Sequence, residues 1–122
     1  MRLIINSKTK IYPIEDILSR IGYDLEARYG QKKYNVIGCY NTKLILEDPK
    51  QRGDELIVEM EKVKPLLRKM SSMTTQEKEN YQEKLDGVAN QTTGVWEVIE
   101  WLNINHFDYN NLIDQGWAEE RM

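Results

Sequence analysis

The sequence predicts a single α+β domain over residues 1–122, with a small sheet of about three strands and a C-terminal half that is mainly helical. Three observations lead to this fold class. Residues 34–60 are rich in β-branched and aromatic side chains, which favour strands. Residues 74–116 carry helix caps and apolar side chains at helical spacing. The chain contains no linker, internal repeat or low-complexity tract that would divide it into two domains.

The first predicted elements are a strand and a short helix. Arg2–Ile5 is an apolar stretch of strand length. A helix is expected to open at Tyr12-Pro13, because the fixed φ of proline suits the first helical position. Four apolar residues then recur at helical spacing: Ile14, Ile17, Leu18 and Ile21. Gly22 is the predicted stop, and the alternative is a longer helix that ends at Gly30.

Residues 34–60 predict the strands of the sheet. Two β-favouring runs, residues 34–40 and 44–46, are separated by Asn41, which is a favoured turn residue. Residues 48–54 are a loop by their proline and glycine content. We expect a third strand near residues 55–60. A short helical turn over residues 61–69 should follow, since Pro65 cannot lie inside a long helix.

The C-terminal half contains the clearest helix signals. Thr74 and Glu77 form a capping box, in which each side chain bonds a backbone N–H of the other residue. The helix that it opens should run to about Leu85 and stop near Gly87. A second helix is expected after Gly94. Its core stripe consists of four apolar residues: Val95, Val98, Ile99 and Leu102.

A final short helix is predicted after residue 108. Asp108 is a favoured N-cap residue, and Leu112 and Ile113 supply apolar contacts behind it. Gly116 is suited to end this helix. Together with the two preceding helices, this element makes the predicted second half mainly helical.

Charge and composition restrict the class of protein. Residues 1–70 carry 14 Lys/Arg and 10 Asp/Glu, a net charge of +4, whereas residues 71–122 carry 3 and 10, a net charge of −7. Direct nucleic-acid binding is not expected from a chain with a net charge of −3. No run approaches the roughly 18 apolar residues that would cross a membrane. The lone Cys39 and the lack of a signal peptide lead us to expect a cytoplasmic protein.

The usual signatures of nucleotide, metal and hydrolase sites are missing. The chain has no G-x-x-x-x-G-K-[ST], G-x-G-x-x-G or G-x-S-x-G motif. One histidine and one cysteine are too few for a zinc site, and no calcium loop is present. The sequence therefore predicts no metal, no cofactor and no catalytic residue.

One arrangement would nevertheless allow acid–base chemistry. His106 is the sole histidine, and Asp108 is close enough in sequence to orient it, with Cys39 or Tyr109 nearby. The alternative is that Asp108 caps a helix while His106 packs in the connection before it. Cys39 lies in an apolar β-favouring run, where a single cysteine usually behaves as a small buried side chain.

The three tryptophans fall within 22 residues, next to several acidic residues. Because tryptophan is enriched at binding hot spots, an aromatic–acidic surface for a protein partner is one interpretation. The candidate interaction residues are Trp96, Trp101, His106, Asp108, Tyr109 and Trp117. The other interpretation is that the tryptophans close a small core between the last helices and the sheet.

Two segments carry a resemblance. Lys64–Thr74 and Trp101–Ile113 resemble a group of small phage and prophage proteins of unknown function, which typically show "LRPLSSMTEEE"-like and "WLNxHHFDYRGLIxKGLA"-like sequences. Here Lys69 replaces the proline, Asn105 the first histidine and Asn110-Asn111 the Arg-Gly pair. The match covers about a third of the chain. It implies an accessory protein of a phage or mobile element, and it implies no chemistry.

The function favoured at this point is a non-enzymatic protein-interaction module of a phage or mobile element. Two alternatives stay open. One is a small enzyme that uses His106 and Asp108. The other is an acidic protein that imitates nucleic acid and binds a basic partner, as the charge of residues 71–122 suggests. The identity of the partner and the oligomeric state are left open.

Overall fold

The computed structural model describes residues 13–121, which form three α-helices and a seven-stranded sheet. The predicted strand at Arg2–Ile5 lies outside the described residues, as does Met122. The helices are α1 (Ile14–Arg20), α2 (Thr75–Ala89) and α3 (Val95–Ile104). The strands are β1 (Glu26–Tyr29), β2 (Lys32–Tyr40), β3 (Lys43–Glu47), β4 (Glu55–Glu59), β5 (Lys64–Lys69), β6 (Phe107–Asp108) and β7 (Glu119–Glu120). No helix in this part of the chain is long and apolar enough to span a membrane.

The sheet has the order β4-β3-β2-β1-β5-β6, and β7 also pairs with β5. Each strand from β1 to β4 pairs antiparallel with its neighbour in sequence, so short hairpins build most of the sheet. β5 then pairs antiparallel with β1 and parallel with both β6 and β7. This strand therefore joins the hairpins to the C-terminal segment.

The prediction of about three strands is wrong, although the three expected strands exist as β2, β3 and β4. The largest error is β5, which occupies residues predicted as a helical turn. Pro65 lies opposite Ala27 of β1, and proline favours extended geometry in the residue before it. Leu66 and Leu67 are both buried, so pairing with β1 and packing on the core decide the conformation.

Several local predictions are confirmed. α1 ends before Gly22, whose φ of +102° is the left-handed conformation that glycine adopts at low cost. Asn41 turns the chain from β2 to β3 with a φ of +54°. Residues 48–54 form the loop before β4. In each case a turn residue determines the boundary through its own backbone preference.

α2 continues past its predicted stop at Gly87 and ends at Ala89. Gly87 is a close-approach position, since a Cβ atom there would clash with the Thr93 side chain. Its carbonyl oxygen accepts hydrogen bonds from the backbone N–H groups of Thr92 and Thr93, at 2.8 and 3.1 Å. The glycine is therefore required because the next turn packs against the helix, which the sequence pattern did not reveal.

The C-terminal half is not mainly helical. α2 and α3 supply 15 and 10 residues, and β5, β6, β7 and turns share the remainder. The final helix predicted after Asp108 is replaced by turns. Asp108 Oδ1 and Oδ2 accept the backbone N–H groups of Leu112 and Ile113, both at 2.8 Å. The carboxylate thus does what a helix cap does, but no helix follows it.

Two apolar clusters form the core of the described part of the chain. The larger lies between the sheet and α1, and its buried members include Ile17, Leu44 and Leu67. The smaller lies beneath α2 and α3 and centres on Leu102 and Phe107. Phe107 belongs to β6, so the smaller cluster reaches the sheet through the parallel pair of β5 and β6.

The capping box of α2 is confirmed and extends to the sheet. Thr74 Oγ1 accepts the Glu77 N–H at 3.1 Å, and Glu77 Oε1 accepts the Thr74 N–H at 2.9 Å. Arg68 of β5 donates to both Glu77 oxygens, at 2.7 and 2.8 Å. These bonds, the Arg68 pair first and the backbone bond of Thr74 second, lower the pKa of Glu77 to about 2.

Glu77→Gln tests this contact. Because the pKa of Glu77 is lower in the folded chain than its ordinary value of 4.5, its contribution to stability is complete above pH 4.5 and is lost as the pH falls toward 2. We expect the variant to lose about 1 kcal/mol of unfolding free energy at pH 7 and to show a flatter acid profile. Urea titrations between pH 7 and pH 2.5 measure both. An unchanged acid profile would contradict the assignment.

Candidate functional site

Arg20 is a fully buried cation, only 1% exposed, at the end of α1. Its Nε lies 2.7 Å from Asp16 Oδ1, and its Nη1 donates to the carbonyl oxygen of Phe107 at 2.9 Å. Its guanidinium carbon is 4.6 Å from the centre of the Tyr109 ring. Sequence reasoning missed this residue. The available signal was its position three residues after Ile17, which places it on the apolar face of α1.

Tyr109 and Asn103 extend the same connection. The Tyr109 hydroxyl donates to Asn103 Oδ1 at 2.8 Å, and Asn103 Nδ2 donates to the carbonyl oxygen of Ser19 at 3.3 Å. Asn103 is itself buried. Tyr109 and Asn103 thus hold α3 against α1, and the hydroxyl group of Tyr109 is occupied by its hydrogen bond to Asn103.

The residues considered for acid–base chemistry are not brought together. Both carboxylate oxygens of Asp108 are taken by backbone N–H groups, and within residues 13–121 no hydrogen bond or ion pair joins Asp108 to His106. Cys39 is exposed on β2, which β1 and β5 separate from β6. Its exposure also differs from the buried position expected for a single cysteine in an apolar run.

His106 turns the chain from α3 into β6. Its φ is +62°, immediately after the helix C-cap at Asn105. Its N–H donates to the Asn103 carbonyl oxygen at 3.0 Å, and its own carbonyl oxygen accepts the Arg68 N–H at 2.7 Å. Glycine is the least costly residue in this conformation, although histidine is one of the residues that tolerate it.

The His106 side chain lines an open groove of about 710 Å³. Among residues 13–121, six ionisable residues border this groove: Asp24, Glu26, Glu47, Arg52, His106 and Arg121. Arg121 Nη2 lies 2.8 Å from Glu26 Oε1, while its buried Nη1 has no hydrogen-bond partner among the described residues. Burial lowers the pKa of His106, and the positive charge of Arg121 lowers it further. The imidazole is therefore neutral at pH 7.

The three tryptophans lie in different environments. Trp96, near the start of α3, is 62% exposed. Trp101 is half-buried and stacks on Tyr81 and Phe107, with ring centres 6.0 and 5.7 Å apart. Trp117 packs against the larger core cluster. Only Trp96 therefore offers most of its indole surface to a partner, and the other two contribute mainly to packing.

Part of the acidic charge of residues 71–122 is used in internal contacts. Arg68 binds Glu77, and Arg28 Nε lies 3.0 Å from Glu119 Oε1. Asp108 binds backbone N–H groups, as described above. Three other acidic residues share one exposed face of α2: Glu79, Glu83 and Asp86. The acidic surface is thus smaller than the net charge of −7 indicates.

Comparison with known proteins identifies no relative. No family model matches the chain, and no curated protein or solved structure is significantly similar to it.

Arg20→Ala tests the role of the buried cation. The variant leaves the buried Asp16 carboxylate without its ion-pair partner, with only the Asn110 amide still donating to it, and removes the bond to Phe107, so we expect a loss of about 3–5 kcal/mol of unfolding free energy. Arg28→Ala is the matched control, because its pair with Glu119 is partly exposed and should contribute less than about 1 kcal/mol. Chemical denaturation measures both, and equal losses would contradict the assignment.

His106→Gly separates the cost of the backbone from that of the imidazole. At pH 7 we expect the variant to gain about 1 kcal/mol of unfolding free energy, since glycine relieves the left-handed conformation. Folding lowers the pKa of His106 in the wild type, so wild-type stability falls as the pH drops below 6.5. The difference in unfolding free energy between the variant and the wild type should therefore widen. His106→Asn keeps a tolerant backbone without a titrating group. A wild-type profile retained by both variants between pH 7 and pH 5 would show that His106 is not responsible.

Proposed function

We propose that this chain is a non-enzymatic protein-interaction module, of the accessory type found in phages and mobile elements. The observation that carries the proposal is the exposed apolar pair at the start of α3. Val95 and Trp96 are 61% and 62% exposed, and we call them the α3 patch. The prediction that Val95 belongs to the core stripe of this helix is therefore wrong, because the first turn of α3 extends past the core. Exposed apolar side chains that lie together commonly serve in binding.

The composition of the α3 patch suits a protein partner. Tryptophan is among the residues that contribute most binding energy at interfaces, because it buries a large area with few rotatable bonds. The patch is placed on a regular helix that packs on the smaller core cluster through Val98 and Leu102. It is therefore presented on a preorganised surface, which reduces the entropy lost on binding.

The neighbouring charges specify the kind of partner further. Glu100 follows Trp96 by one helical turn and lies on the same side of α3, and Glu97 is exposed beside it. An arginine or lysine of a partner could contact the indole face of Trp96 and a carboxylate together. We therefore propose that the partner contacts the α3 patch with a surface of apolar and basic residues.

The resemblance of residues 64–74 and 101–113 to phage and prophage proteins supports the accessory role. The small-enzyme hypothesis and the nucleic-acid-mimic hypothesis remain as alternatives, and each makes a different prediction. An enzyme would depend on His106 more than on Trp96. A mimic would depend on the exposed acidic face of α2, and its binding would weaken steeply with salt.

Trp96→Ala tests the proposal against Trp101→Ala. We expect Trp96→Ala to change the unfolding free energy by less than about 0.5 kcal/mol, since most of the indole is exposed. Trp101→Ala should cost about 3–5 kcal/mol, because it removes the stacking contacts of the smaller core. Denaturant titrations measure both effects.

Binding is tested with the full chain, immobilised as bait in extracts of its native host. Mass spectrometry identifies the bound proteins, and their affinities are measured after purification. Trp96→Ala should weaken binding of the specific partner at least tenfold, and Lys78→Ala on α2 should leave it unchanged. A partner that binds both variants equally well, or a Trp96→Ala chain that is unfolded, would refute the proposal.

A further inference from the structure

β4 forms the end of the sheet. All five of its residues, Glu55–Glu59, are in register with β3 on one side. Within residues 13–121 no strand pairs with its other side. An antiparallel end strand directs the N–H and C=O groups of every second residue outward, here those of Glu55, Ile57 and Glu59, where another extended chain can bind them.

The side chains of β4 alternate between the core and the outer face. Val58 is buried and Leu56 is half-buried, whereas Ile57 is 60% exposed. Ile57 lies beside Ile45 of β3, which in turn lies beside Gly38 of β2. Ile45 packs beside Gly38, with its Cδ1 in ordinary contact distance, 3.5 Å, of where a Cβ atom would be. Ile57 thus borders an apolar outer strip.

Charge decides which chain can pair with this side of β4. Glu55 and Glu59 lie two residues before and after Ile57, on the same outer face. In a twofold antiparallel pair of two copies centred on Ile57, Glu55 of each copy would lie opposite Glu59 of the other. Two such like-charged pairs oppose self-association. The same positions would attract a strand with basic residues there.

We propose that the free side of β4 binds an extended segment of a partner protein in antiparallel pairing. The segment has an apolar residue opposite Ile57 and lysine or arginine two residues before and after it. Backbone hydrogen bonds to β4 would supply affinity, and the two glutamates would supply selectivity. This surface is separate from the α3 patch, and the inference does not depend on the proposed function.

The first test uses self-association, because one charge reversal should make β4 complementary to itself. In Glu55→Lys, each new lysine would face Glu59 of the second copy, so we expect self-association at least tenfold tighter than in the wild type. Glu55→Lys/Glu59→Lys restores like charges and should return to the wild-type state. Sedimentation equilibrium at low and high salt measures the association, which salt should weaken.

The second test uses a synthetic capped peptide, Thr-Lys-Val-Ile-Val-Lys-Thr, and a matched peptide with glutamate in place of both lysines. The wild type should bind the lysine peptide at least tenfold tighter, and Glu55→Lys/Glu59→Lys should prefer the glutamate peptide by a similar factor. NMR shifts should appear at residues 55–59, and slowed amide exchange at Glu55, Ile57 and Glu59, whose N–H groups face away from β3.

Three outcomes would overturn the inference. In the first, Glu55→Lys remains as monomeric as the wild type and neither peptide binds. In the second, the N–H groups of Glu55, Ile57 and Glu59, which face away from β3, already exchange slowly in the free monomer, which would mean that another segment of the chain covers them. In the third, the wild type itself dimerises through β4, which would make a second copy the occupant.

Discussion

A buried guanidinium group is costly unless every one of its partners is in place, and Arg20 is such a group. Removing its charge from water costs several kcal/mol, which only well-placed partners can offset. Those partners come from three parts of the chain: Asp16 on α1, the Phe107 carbonyl in β6 and the Tyr109 ring in the turn that follows. If any of these parts leaves its position, the charge of Arg20 loses a partner while it is still surrounded by apolar groups. The helix, the strand and the turn should therefore form and unfold together.

Packing and bonding of the same kind also explain most of residues 101–113. Trp101, Asn103 and Phe107 pack or bond within the core, and Asp108 and Tyr109 fasten the following turn. Each of these side chains has a role in folding. The imidazole of His106 differs, because it faces the groove and has no described hydrogen bond to another part of the chain. A functional role within this segment is therefore best sought at the His106 imidazole. Placing it there costs the strain of a left-handed histidine backbone.

The parts of the fold that could be predicted are those determined by neighbouring residues. The capping box at Thr74 and the turn at Asn41 depend on a few adjacent side chains, and the hairpin strands β2 to β4 show their composition locally. β5 could not be predicted because its conformation depends on pairing with β1, about 40 residues earlier. β6 and β7 have only two residues each, which is too short for any periodic pattern. The candidate site was less predictable still, since composition could not show which of the three tryptophans is exposed.

The dual pairing of β5 has a consequence for synthesis on the ribosome. β1 to β5 are complete once residue 69 has emerged, but β7 completes its pairing only after residue 120, about 50 residues later. At ordinary rates of translation this interval lasts roughly 3–10 s. During that time the buried Leu66 and Leu67 of the finished sheet lie on a strand whose second edge is open. The nascent chain is then most exposed to aggregation and to chaperone binding, and slower codons in this stretch would lengthen that period.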